Sequence, residues 1–73
     1  MNILTKRLRD TREDKDLKQK DIADILDITH QQYQLYESGK RKIPVDKLKT
    51  LCTYYNISAD YFLGFTKEQK EIK

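Results

Sequence analysis

Apolar positions recur along the chain at helical spacing rather than in strict alternation. Leu4, Leu8 and the Thr11–Arg12 pair fall at i, i+4 and i+7/8, which puts one stripe on a first helix from about Ile3 to Asp14. Lys15-Asp16-Leu17-Lys18 is polar around a single leucine and reads as a short connection. A second helix follows from about Gln19 to Leu26, with Ile22, Ala23 and Leu26 on one face and Lys20, Asp21 and Asp24 outward. Thr29 then suits an N-cap, because its hydroxyl accepts an orphan backbone N–H at the start of a helix. Only Asp27-Ile28-Thr29 joins the second helix to a third, so the two must meet at a sharp turn. The third helix runs to about Glu37 and stops at Ser38-Gly39, glycine reaching the left-handed C′ conformation without strain. Pro44 sits where a first helical turn tolerates it. The fourth helix spans about Pro44 to Tyr55 and buries Leu48, Leu51, Cys52 and Tyr55. Asn56 ends it, Ser58 caps a short fifth helix, and Gly64 closes that one. The expectation is an all-α domain over residues 1–65, with 66–73 a charged tail that frays or joins a dimer contact.

Composition narrows what such a bundle can do. With 73 residues there is room for one small domain and little for a deep substrate cavity, so an enzyme is not expected. Hydrophobic and charged residues each make up 37% of the chain, and no apolar run approaches the roughly 20 residues of a membrane span. The opening MNILTKRLRD lacks the apolar stretch of a secretory signal, which points to the cytoplasm. Cys52 is the one cysteine and His30 the one histidine, leaving no intramolecular disulfide, no zinc constellation and no cofactor in view. Asp10, Glu13, Asp14 and Asp16 are scattered over a polar face and its loop, without the pocket an acid/base pair needs.

Candidate chemistry concentrates on the third helix. If Tyr33, Tyr36 and Glu37 face inward, then His30, Gln31, Gln34 and Leu35 lie near the exposed side and Gln32 beside them. Amides, an imidazole and an aliphatic tip near a helix N-terminus suit base-pair edges in a major groove: glutamine pairs with adenine N6/N7, and an aliphatic group meets the thymine methyl. The following loop carries Lys40, Arg41 and Lys42 in succession, placed to hold phosphates, which position without specifying. Helix N-termini at Gln19 and Thr29 add anion-binding amides.

The run from Leu17 to Thr29 (LKQKDIADILDIT), followed by Tyr33, Tyr36-Glu37-Ser38-Gly39-Lys40, Ile43-Pro44 and Ile57–Gly64, resembles the phage repressor/Cro-type (XRE) helix-turn-helix family over about residues 3–64. The resemblance implies a compact five-helix bundle of the lambda-repressor-like type, with helices two and three as the helix-turn-helix. It further implies sequence-specific binding of double-stranded DNA, commonly by a two-fold dimer. By position, Gln19 would contact phosphate and the outer base pairs, while His30 and Gln31 would read bases. Arg12 and Glu37 match the family's ion pair between the first and third helices. Three positions depart from the pattern. Leu35 stands where a polar reader is frequent, Asp27 where glycine is usual in the turn, and Lys18 where Ser or Thr usually caps the second helix.

Blander readings compete at several places. The aromatic pairs Tyr54-Tyr55 and Tyr61-Phe62 share helical spacing with Leu48, Leu51 and Leu63, so they read as core rather than as base-stacking platforms. Lys6, Arg7 and Arg9 alternate with acids and read as a solvated face. Gln34 is a weaker base reader than Gln31. Lys18, Gln19, Thr29, Gln32, Lys40, Arg41 and Lys42 form the expected set of DNA-backbone contacts. The leading expectation is a DNA-binding transcriptional regulator, a repressor acting as a homodimer through Phe62, Phe65 and Ile72. The alternative is an antitoxin-like or adapter protein that uses the same fold to bind another protein.

Overall fold

Asn2 opens the first helix: its side-chain carbonyl accepts from the Thr5 N–H at 2.9 Å, satisfying one of the donors a helix start leaves orphaned. From there a computed structural model, which describes residues 2–69, places five helices. They are α1 (Ile3–Asp14), α2 (Gln19–Leu26), α3 (His30–Ser38), α4 (Val45–Tyr55) and α5 (Ala59–Leu63). No strand occurs among the described residues. Each boundary lies within a residue of the one the pattern implies. At α4 the difference has a clear cause: Pro44 holds ψ at 151°, which is extended, and so precedes the helix as its N-cap.

α1 buries Thr5, Leu8 and Thr11 and packs against α3 and α5; α2 packs against α3 and α4. Leu8, Ile22, Tyr33, Leu51 and Phe62 are completely excluded from solvent at the centre of the bundle, one from each helix. Burying such side chains contributes about 1.5–3 kcal/mol each, and with a single cysteine no intramolecular disulfide adds to it. Gly64 closes α5 at φ 89°, and a Cβ there would stand 2.9 Å from Ile3 Cγ2. Both the left-handed backbone and the close approach of α1 therefore demand glycine.

The expectation of a wholly solvated face on α1 needs correction at Arg7. Its guanidinium Nη1 donates to the carbonyls of Tyr61 and Thr66, and the group lies 4.4 Å from the Tyr61 ring centroid. Arg7 thus ties α1 to α5 and to the start of the tail, because a long side chain can lay its stem along apolar surface and deliver its donors to distant carbonyls. Lys6 and Arg9 stay on the polar face with Asp10 and Glu13. Phe62 also needs correction: it is fully buried, packed at 6.2 Å on the Tyr55 ring, and so takes no part in any dimer surface. Phe65 is 79% exposed, while Ile72 lies outside the described residues. None of the described helices is long and apolar enough to cross a membrane.

Candidate nucleic-acid interface

Between α2 and α3 the chain reverses through Asp27, which takes the left-handed conformation at φ 57°, ψ 46° where glycine is usual. Aspartate visits this region more readily than most residues. The Ile28 N–H then closes onto the Ala23 carbonyl at 3.0 Å. Lys47 reaches across from α4 and donates to the Leu26 carbonyl at 3.0 Å, supplying positive charge to the negative end of α2. Lys18 gives α2 only half a capping box. Its N–H donates to the Asp21 carboxylate at 2.8 Å, but its ammonium has no lone pair to offer in return.

α3 starts from a complete box. The Gln32 N–H donates to Thr29 Oγ1 at 3.1 Å, and the Thr29 N–H donates to Gln32 Oε1 at 3.3 Å. These bonds use acceptors only. The Thr29 hydroxyl proton and the Gln32 amide protons remain as donors, the polarity a phosphate requires. Tyr33, Tyr36 and Glu37 are buried, whereas His30, Gln31, Gln32 and Gln34 are exposed and Leu35 is half-buried. The helix thereby keeps one face locked into the bundle and offers the other to solvent. At its far end Gly39 is left-handed at φ 84°, and the Arg41 N–H returns to the Leu35 carbonyl at 3.2 Å. That return holds the exposed Lys40-Arg41-Lys42 loop against the end of α3.

A buried ion pair braces the motif. Arg12 makes a bidentate contact with Glu37, Nε to Oε2 at 2.9 Å and Nη2 to Oε1 at 2.8 Å, and its Nη1 donates to the Leu17 carbonyl at 2.8 Å. Burial opposes the charge on Glu37, but the hydrogen bonds from Arg12 and Gln19 outweigh it and hold the carboxyl below its ordinary range. The same carboxylate accepts from Gln19 Nε2 at 3.2 Å, and Gln19 Oε1 lies 3.2 Å from His30 Nε2. The polar chain therefore runs from α1 through α3 and α2 back to the first residue of the exposed helix. Arg12, Glu37, Gln19 and His30 are brought together; Gln31, Gln34 and Leu35 extend the surface along α3 without direct bonds to them.

Desolvation pushes the Tyr33 and Tyr55 phenols well above their usual pKa and raises the Cys52 thiol, so these groups stay neutral and unreactive. No cluster with metal-ligand character occurs among the described residues. Sequence reasoning missed Asn2, Arg7 and Lys47. Asparagine just before the first apolar stripe was a legible capping signal, whereas the reach of Arg7 and Lys47 to other helices had no sequence signature.

The helix-turn-helix family profile matches residues 8–62. The chain is 37% identical over 62 residues to YobD, an uncharacterized HTH-type transcriptional regulator of Bacillus subtilis (strain 168), covering 85% of this chain and 55% of that protein. It is 35% identical over 68 residues to the HTH-type transcriptional regulator ImmR of the same organism, covering 93% of this chain and 54% of ImmR. The chain thus spans about half the length of the curated relatives it matches. A crystal structure of a transcriptional regulator from Listeria innocua superposes with a TM-score of 0.80 at 29% identity, over 89% of this chain and 61% of that one. The matched profile covers the whole turn between α2 and α3 and the Arg12–Glu37 brace beneath it, and the chain belongs to the XRE-type helix-turn-helix family.

Proposed function

We propose that the chain is a sequence-specific, double-stranded-DNA-binding transcriptional regulator, a repressor that acts in the cytoplasm as a homodimer on an inverted repeat. Residues 1–65 form the reading domain and 66–73 its tail. α3 enters the major groove, with His30, Gln31, Gln34 and Leu35 at base edges. Lys18, Gln19, Thr29, Gln32, Lys40, Arg41 and Lys42 hold the flanking phosphates. The observation that carries this reading is the division of α3: Tyr33, Tyr36 and Glu37 are locked into the bundle while the polar side chains of its first turn are exposed to solvent. A rigid helix with exposed amides is what a groove can read. The formal net charge of +3 supports only weak nonspecific affinity, so discrimination rests on these few contacts and on pairing of two copies.

A second reading, an antitoxin-like or adapter protein, is favoured by one specific feature. Leu4, Ile43, Val45, Leu48, Cys52 and Leu63 line an apolar groove to which α3 contributes no residue, with Val45 82% exposed. A protein partner would find contact area there. Selection of duplexes from a random pool at near-physiological salt separates the two readings. The expected result is an inverted repeat with half-site centres about 34 Å apart. Weak binding that disappears as salt rises, with no enriched sequence, would instead favour the protein-binding role.

A further inference from the structure

The hydrogen-bond chain beneath α3 has a definite direction, and it ends on a side chain that faces solvent. Glu37, ionised, is an acceptor only, and both its oxygens are engaged by Arg12. The group of Gln19 that meets Glu37 Oε1 at 3.2 Å must therefore be its NH2, since an amide oxygen there would be repelled. That fixes the rotation of the amide and aims Gln19 Oε1 at His30, 3.2 Å from Nε2. A carbonyl oxygen can only accept, so Nε2 must carry the proton. In a neutral imidazole the other ring nitrogen, Nδ1, is then an acceptor, and it has no hydrogen-bond partner among the described residues. His30 itself is exposed at the first position of α3.

We infer that the Glu37–Gln19 relay locks His30 as the Nε2–H tautomer, making its free Nδ1 a hydrogen-bond acceptor that selects a base presenting an amino group, adenine or cytosine, in the major groove. Adenine offers N6–H2 and cytosine N4–H2, whereas guanine and thymine present only acceptors in hydrogen-bonding positions there. Gln19 is the positioning residue and His30 the reader. The base preference rests on the DNA-reading function proposed above; the tautomer does not.

The test has two readouts on the whole chain. Nitrogen NMR of the 15N-labelled protein at about pH 8, without DNA, reports the tautomer directly, and with one histidine in the sequence the imidazole signals need no deconvolution. A single Nε2–H form that relaxes towards a mixture in Gln19→Ala is expected. A protonated Nδ1, or a Gln19→Ala spectrum identical to that of the unaltered protein, would overturn the lock. Duplex selection at the same pH should then enrich A or C at one position per half-site. That preference should weaken roughly fivefold in His30→Ala, the size of one neutral hydrogen bond, and by a smaller factor in Gln19→Ala, where the imidazole remains but its tautomer is no longer held. A guanine preference that disappears in His30→Ala would show a donor at Nδ1 and refute the inference. With the lock intact but no sequence enriched at all, the DNA-reading function fails, and the base preference with it.

Discussion

At the scale of single residues, Glu37 concentrates the most consequence. It is 4% exposed, and its bidentate partner Arg12 is mostly covered. Removing one member of a buried pair leaves the other charge uncompensated. Glu37→Gln should therefore lower stability by about 3 kcal/mol, read in urea unfolding as a lower midpoint with unchanged slope. The sign of the acid limb follows from the lowered carboxyl. Its contribution is complete above the ordinary value of 4.5 and is lost as pH falls through the depressed folded value, so the unaltered protein should lose stability below about pH 4.5 and Glu37→Gln should lose less. The phenols of Tyr33 and Tyr55 act at the other end. Raised by burial above the ordinary value of 10.0, they stabilise the fold below that pH and cease to do so as pH climbs past it. Readers and holders should separate in the same way. Gln31→Ala should change the preferred base at one position per half-site, whereas Lys42→Ala should weaken binding about equally on all sequences and flatten its salt dependence. Binding isotherms on a panel of single-base variants at two salt concentrations check both, and unchanged preference in Gln31→Ala would remove it from the readers.

At the scale of elements, the turn between α2 and α3 sets the angle at which the exposed helix is offered. Asp27 holds that turn in a left-handed conformation and places a carboxylate at the negative end of α2, two costs that glycine avoids. Asp27→Gly should raise stability by about 1 kcal/mol, visible as an upward shift of several degrees in the thermal midpoint of a domain this size. A downward shift would mean that the Asp27 carboxylate contributes to the turn in a way its backbone geometry does not reveal. Lys47 complements this end from α4, so α4 supports the helix-turn-helix as well as forming core. α1 has the same double duty: Arg12 braces α3 and Leu17, while Arg7 secures α5.

At the scale of the whole molecule, reach is the governing quantity. The Cα trace extends over 29 × 23 × 22 Å and carries a single exposed α3, whereas successive major-groove faces on one side of a duplex lie roughly 34 Å apart. With one exposed α3 per copy, a single copy cannot meet two half-sites, which is why the proposed operator requires two copies. With Phe62 withdrawn into the core, Phe65 is the exposed aromatic adjoining α5, near the half-exposed Leu63. Phe65→Ser should weaken self-association in sedimentation equilibrium while changing monomer stability by no more than about 0.5 kcal/mol, the usual range for a surface substitution. Self-association unaffected by that change would place the dimer contact elsewhere.

How much of this was legible beforehand depends on how far apart the interacting groups lie in the chain. Helix number, helix limits and the caps at Thr29, Ser58, Gly39 and Gly64 were readable because helix hydrogen bonds and caps join residues only a few positions apart. The inward set of α3 was readable too, since 3.6-residue periodicity separates Tyr33, Tyr36 and Glu37 from His30 and Gln31. The Arg12–Glu37 pair entered through family resemblance, and the geometry of its two bonds came only with the fold. Tertiary packing alone decided that Phe62 lies inside, that Arg7 reaches residues 54 and 59 positions away, and that Gln19 links Glu37 to His30 across separations of 18 and 11 residues. The physical reason is common to all three. Local sequence fixes which face of a helix is apolar, but the partner that a long polar side chain finds, and the last aromatic ring the core admits, depend on how the helices cross.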